Sequence, residues 1–223
     1  LGNTMQYSGA TSPYGTIGRS EAAYFRMINA QGGINGRKIN FISRDDASSP
    51  PKTLEVVRKL VEEDQVLLLF STLGTPPNTA IQPYLNENKV PQLFITSGAG
   101  KWNDPKNHPW TMAWLPSYRI ESHIYARYIL KNLPNAKIAV LYENDDFGKD
   151  YLIGLREGLG ASADKMIIAS QSYELTDPSV DSQVVGLHSS GATVLLTAAS
   201  AKMAAQAIRK IYDIGWKPTH FLT

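Results

Sequence analysis

One rhythm restricts the fold of this chain more than any other feature. A short apolar run is followed by a turn, an amphipathic helix pattern and another short apolar run. The runs at 1–7, 38–44, 66–70, 92–96, 137–142, 166–173, 193–197 and 219–222 are rich in Val, Ile, Leu, Phe and Tyr and read as strands. Between them, Leu54, Val57 and Val61 fall at i, i+3, i+7. Ile120, Ile124 and Tyr128 fall at i, i+4, i+8, and Ala204, Ala207, Ile208 and Ile211 at i, i+3, i+4, i+7. Strands that are apolar throughout and alternate with helices imply a parallel sheet covered on both faces.

Punctuation supports these boundaries. Gly32-Gly33 ends the first helix pattern, where a left-handed C-cap favours Gly. Asn35-Gly36 makes a tight turn into the second strand. Asp46, Ser48 and Ser49 before Pro50-Pro51 predict a helix start, with Asp46 as a capping oxygen. Gly160 and Gly215 each close a helix. The rhythm breaks once, at 97–116, which holds Trp102, Trp110 and Trp114 with Pro105, Pro109 and Pro116 and shows no helix pattern. We read it as the crossover from a first α/β domain, 1–116, to a second, 117–223.

Composition narrows the chemistry. The 22 basic and 20 acidic residues nearly cancel, with no basic run longer than two, which argues against electrostatic nucleic-acid binding. No apolar stretch approaches the roughly 18 residues of a membrane span. Without Cys, thiol catalysis, disulfides and thiolate metal sites are excluded. The four His, at 108, 123, 188 and 220, have no ligand spacing, so no metal is expected. Gly98-Ala99-Gly100 lacks the third Gly and the following helix of a dinucleotide fingerprint. A phosphate loop and a nucleophile elbow are both missing, so neither a cofactor nor catalytic residues are expected. Asp45-Asp46 follows the second predicted strand rather than the first, which favours capping over a phospho-receiver or Mg²⁺ role.

Open α/β sheets bind ligands beyond the carboxyl ends of their strands. The loops there, at 7–15, 45–49, 71–77, 96–100, 142–148, 173–178 and 197–201, are rich in Ser, Thr, Gly, Asn and Asp. Such loops can cap helices, and where several converge they suit a carboxylate. Ser71-Thr72-Leu73-Gly74-Thr75-Pro76-Pro77 and Thr96-Ser97-Gly98-Ala99-Gly100 repeat one arrangement on adjacent strands. Thr75 and Ser97 are therefore expected to donate to the anionic end of a ligand. Glu143, Asp145 and Asp146 read equally as a cation or ammonium site and as a solvated loop with a helix cap.

The order of several segments resembles one family. Tyr7-Ser8-Gly9 leads to Tyr14-Gly15, and Ile28-Asn29-Ala30-Gln31-Gly32-Gly33-Ile34-Asn35-Gly36-Arg37-Lys38-Ile39 follows. Asp45-Asp46 with Pro51, then Asp64 and Val66, and later Asp145-Asp146-Phe147-Gly148 with Asp150 complete the series. Together they resemble the type I periplasmic solute-binding proteins of ABC transporters, the branched-chain amino acid (Leu/Ile/Val) kind. The resemblance implies two Rossmann-like parallel-sheet domains with a ligand cleft between them that closes by hinge motion. It implies a periplasmic, non-enzymatic monomer with its signal peptide removed, delivering a small organic acid or amino acid to an ABC permease. In the family the chain crosses back to finish the first domain, so a C-terminal part is expected to be missing here.

The resemblance also implies roles. Tyr14 would pack against the ligand from the first domain. Leu73, Gly74 and Thr75 would form one polar wall, and Ser97, Gly98 and Ala99 the next. Phe147 would cover the ligand from the second domain, with Ala199 and Ser200 nearby. Gly74 and Gly100 stand where amino-acid-binding relatives carry hydroxyls, and Phe147 where Tyr is common. This favours an aromatic or other apolar carboxylate over a branched-chain amino acid. The alternatives are an amino acid ligand and a ligand-sensing regulatory ectodomain of the same fold.

Overall fold

The apolar runs become two separate parallel sheets. The computed structural model describes residues 1–223 and divides into two compact units, Leu1–Leu115 and Pro116–Thr223. In the first, β1 (Gly2–Met5), β2 (Ile42–Asp45), β3 (Leu69–Phe70), β4 (Gln92–Ile95) and β5 (Thr111–Ala113) are ordered β2-β1-β3-β4-β5. Its helices are α1 (Gly15–Ala30), α2 (Pro50–Arg58), which runs on as a π turn over Lys59–Glu63, and α3 (Thr75–Glu87). In the second unit, β6 (Ile138–Glu143), β7 (Ile167–Tyr173), β8 (Val194–Ala198) and β9 (Thr219–Leu222) are ordered β7-β6-β8-β9. Its helices are α4 (Tyr118–Asn132), α5 (Asp146–Leu159), α6 (Ala163–Met166), α7 (Asp181–Ser189) and α8 (Ala201–Asp213). Every strand pair is parallel, which requires crossovers; helices supply them except between β4 and β5, where the connection holds only a 3₁₀ turn, Gly100–Trp102. The fold is α/β with two parallel sheets, as the rhythm predicts, and each is Rossmann-like, as the resemblance implies.

Period-two alternation puts the strand side chains of the second sheet onto two cores. Ala139, Leu141 and Leu195 pack with Val184, Leu187, Met203 and Ala207 of α7 and α8. Ile138, Val140, Leu196 and Ala198 pack with Ala126, Ile129, Tyr151 and Leu155 of α4 and α5. Each fully buried aliphatic side chain contributes roughly 1.5–3 kcal/mol. In the first unit, α2 and α3 bury Val57, Leu60, Ile81 and Leu85 against Leu69. Across that sheet, Phe25 of α1 meets Phe41 and Phe70, with ring centroids 5.0 and 5.4 Å apart.

The turn at the end of α1 is built as the glycines predict. The Gly33 amide donates to Ile28 O (2.9 Å) and the Gly32 amide to Asn29 O (3.2 Å), a Schellman cap with both residues at positive φ. Asn35 (φ 50°) and Gly36 (φ 75°) then form a type I′ turn closed by reciprocal bonds between Ile34 and Arg37.

Three expectations need correction. The 97–116 stretch is more than a crossover, because it contributes β5 to the first sheet. Three residues among Trp and Pro give too short a run to show alternation. On α4, the periodic residues Ile120, Ile124 and Tyr128 are 58%, 60% and 52% exposed, and the buried face carries Ser122, Ala126 and Ile129. Close approach to α5 decides this. A Cβ on Gly154 would lie 2.6 Å from Arg119 Cα, and one on Gly158 2.6 Å from Ala126 Cβ, so only small residues fit along the contact. Finally, Asp46 does not cap α2. Its carboxylate accepts from the Ser48 amide (2.9 Å) and the Thr53 hydroxyl (3.0 Å), while Ser49 is the N-cap residue.

Candidate functional site

The loops following β1 and β2 are tied by one carboxylate. Asp45 accepts from the Tyr7 amide (2.9 Å), the Ser8 amide (3.1 Å) and hydroxyl (2.6 Å), the Ala47 amide (3.1 Å) and Lys52 Nζ (3.1 Å). Burial opposes its ionisation, but the bonds from Ser8, Ala47 and Lys52 outweigh that and hold its pKa at about 2. Tyr14 lies at the end of a 3₁₀ turn, Ser12–Tyr14, at the head of α1 on the same carboxyl side of the sheet, and is half-buried.

The loops following β3 and β4 are joined directly. Leu73 bridges to Thr96, and the Gly74 amide donates to Thr96 O (3.2 Å). Thr75 Oγ1 and Ser97 Oγ are 2.7 Å apart and both side chains are buried. Beneath them, Asn78 donates to the carbonyls of Thr72 (3.0 Å) and Gly74 (2.7 Å), and Gln92 donates to Asn78 Oδ1 (2.7 Å). Gly74 is demanded by its backbone, since φ is 96° and a Cβ would lie 2.7 Å from Gln6 Nε2. The structure thus brings together Leu73, Gly74, Thr75, Ser97 and Ala99, with buried Gly98 between the last two. The Ser97 hydroxyl, however, is already occupied. It accepts from Trp102 Nε1 (2.8 Å) and the Ala99 amide (3.3 Å), is wholly buried and faces Thr75. It is therefore not placed to donate to a ligand itself. The start of α3 is also poorer in donors than a usual helix end, because Pro76 and Pro77 carry no N–H.

The second sheet's carboxyl edge has a different character. Glu143, the last residue of β6, is 8% exposed and accepts from the Tyr173 hydroxyl at 2.6 Å. The Ser200 amide donates to that same phenol oxygen at 2.8 Å. Burial raises the pKa of Glu143, and hydrogen bonds from Tyr173 and Ser200 partly offset the rise. Asp145 caps α5 by accepting from the Gly148 amide at 3.0 Å. Its Oδ2 is buried without a partner. Burial, with Glu143 nearby, pushes the Asp145 pKa up to about 7, against the pull of the Gly148 amide. Ala199 and Ser200 follow β8 and are buried, Ser200 at the N-cap of α8. Phe147 is half-buried in an aromatic cluster, 5.1 Å from the Tyr118 ring and 5.6 Å from that of Tyr151.

Sequence reasoning missed Trp102 and Tyr173. Tyr173 had one readable signal, because it ends a strand beside another that ends in Glu143. Trp102 had none, since an indole N–H finds its acceptor only in three dimensions.

The model of a family described as "Periplasmic binding protein" matches residues 3–223. An "Amino acid binding protein" of Pseudomonas aeruginosa is 26% identical over 222 residues, covering 96% of this chain and 57% of the relative. A branched-chain amino acid ABC transporter structure from Thermus thermophilus with bound valine has a TM-score of 0.87 at 19% identity, covering 100% of this chain and 58% of that one. A solute-binding protein of an ABC transporter from Rhodopseudomonas palustris BisB5, in complex with 3,4-dihydroxybenzoic acid, has a TM-score of 0.84 at 19% identity, covering 99% and 60%. At such identities the structures share the fold alone. The chain spans under two thirds of the length of these proteins.

Proposed function

We propose, from the premise that this chain belongs to the periplasmic binding protein family, that it is the solute-binding part of an ABC transporter. In this reading it works in the periplasm and passes a small organic carboxylate with an apolar body to a membrane permease. The observation that supports this best is the Thr75–Ser97 pair, two hydroxyls 2.7 Å apart at the carboxyl ends of adjacent strands. The Thr75 hydroxyl, at the first turn of α3, is the donor for the anionic end, with the Thr75 amide beside it. In this reading flat apolar surface comes from Tyr14.

A second reading has one observation in its favour. Buried Asp145 keeps an unpartnered oxygen, and an ammonium would satisfy it. In that reading the ligand is an amino acid. Calorimetry decides between them, with 3,4-dihydroxybenzoate and valine as probes, preceded by a thermal-shift screen of related acids. The Thr75→Val variant should bind the successful probe about tenfold more weakly or worse, since losing a hydrogen bond to a charged group costs roughly 1.5–3 kcal/mol. Unchanged affinity in that variant removes Thr75 from the site. Binding of valine with the aromatic acid inert establishes the second reading.

A further inference from the structure

We infer that Trp102 is a positioning residue that commits the Ser97 proton to Thr75 and so keeps the Thr75 proton available to an acceptor head group. This rests on the reading of Thr75 as the residue that meets the ligand. A serine hydroxyl has one proton and two acceptor sites, whereas an indole N–H and a backbone N–H can only donate. Ser97 Oγ receives Trp102 Nε1–H at 2.8 Å and the Ala99 amide at 3.3 Å, which fills both acceptor sites. Its third contact, to Thr75 Oγ1 at 2.7 Å, must then carry its own proton. Ser97 is 0% exposed, so that proton has no route to solvent. Thr75 Oγ1 is thereby the acceptor within the pair, and its own proton is left to point away from Ser97.

The order Trp102 to Ser97 to Thr75 sets the sense of the last bond, and each bond polarises the next. Trp102 itself is 3% exposed and sits in the 3₁₀ turn Gly100–Trp102, held by the Trp102 amide to Ala99 O bond at 3.2 Å. A head group that offers only N–H leaves the Thr75 proton unmatched and binds less well. A carboxylate, which only accepts, is favoured. Without the indole N–H, the Ser97 hydroxyl is held by the Ala99 amide alone and can turn. The Thr75–Ser97 bond then runs in either sense.

The test compares two acids with their uncharged primary amides, valine with valinamide and 3,4-dihydroxybenzoate with 3,4-dihydroxybenzamide, by calorimetry on the whole chain. The wild type should prefer whichever acid binds over its amide by about tenfold or more. Trp102→Phe, which keeps an aromatic ring and removes the N–H, should bring that ratio toward unity. Thr75→Val should weaken the acid directly. If neither acid binds, or Thr75→Val leaves the acid's affinity unchanged, the reading of the site fails and this inference falls with it. If Thr75→Val weakens binding but Trp102→Phe keeps the full acid-over-amide ratio, the inference alone is overturned. A lower affinity for acid and amide alike in Trp102→Phe would mark a merely structural role and also overturn it. Should Trp102→Phe not fold, NMR of the wild type decides. The Trp102 indole proton should exchange far more slowly than that of Trp114, which is 61% exposed, and its resonance should move in Ser97→Ala. Exchange as fast as Trp114's overturns the inference.

Discussion

The two sheets carry an aspartate at the same kind of place, just beyond a strand's carboxyl end or at it, and treat its charge in opposite ways. Asp45 collects five hydrogen bonds and is held at about pKa 2. Asp145 accepts from the Gly148 amide, keeps one oxygen buried and unpartnered, and titrates at about 7. The first edge spends donors on its own carboxylate, and its Thr75 and Ser97 hydroxyls bond to each other. The second edge is short of donors and carries two desolvated acids, Glu143 and Asp145. Strand-end position therefore says nothing about the charge state of an aspartate. Neighbouring amides and hydroxyls decide it.

The sharpest way to break this contrast is steric. A Cβ on Gly148 would lie 2.1 Å from the Glu143 carbonyl oxygen, a backbone atom that cannot step aside. Gly148→Ala should cost about 3 kcal/mol in denaturant unfolding, at the upper end of what overpacking costs. A cost below about 1 kcal/mol would mean that the second edge is looser than described. Next in size is Asp45→Ala, which should cost about 2 kcal/mol at pH 7, allowing for the exposed Lys52 partner. The sign follows from a folded pKa below the unfolded one. The charge contributes above the ordinary 3.8 and is lost as pH falls towards 2, so the cost should shrink over that window. A pH-independent difference would show that the bonds to Asp45 do not depend on its charge.

The smallest effect has the opposite sign. The folded state holds the Asp145 proton more tightly than the unfolded chain does, so this group lowers stability as pH rises from 3.8 to about 7. Asp145→Asn keeps a capping oxygen and removes the charge. It should raise stability by about 1 kcal/mol above pH 7, discounted for partial exposure, and by nothing near pH 4. A loss of stability above pH 7 would mean that the charge is satisfied after all.

How much of this is legible in the sequence depends on the range of each interaction. Strand and helix positions follow from local periodicity, and eight of nine strands were readable. The ninth, β5, is three residues long and is defined by its partner β4 rather than by its own pattern. On α4 the periodicity of Ile120, Ile124 and Tyr128 correctly marks a helix but not which face is covered, because Gly154 and Gly158 of another helix settle that. Thr75 and Ser97 were readable as strand-end hydroxyls. That the Ser97 proton is committed inward was not, since it depends on an indole five residues away folding back onto it. The unequal treatment of Asp45 and Asp145 was equally hidden, because Asp45 draws on Tyr7 and Ser8, some 38 positions upstream.

The Schellman cap and type I′ turn after α1 also bear on how quickly the first sheet can assemble. Parallel strands cannot pair until a long intervening segment is closed into a loop, and that delay slows folding. Here the backbone bonds that make the reversal from Ile28 to Arg37 span five residues or fewer, and Asn29 clamps the Ile39 backbone ten residues on. A helix relaxes in about a microsecond or less and a tight turn in microseconds, well before distant strands meet. With α1 formed and the turn set, the span that must close before β2 finds β1 shrinks to the connections at 6–14 and 38–41. The slow search for the first parallel pair is thus replaced by the docking of a helix that already ends in the right direction.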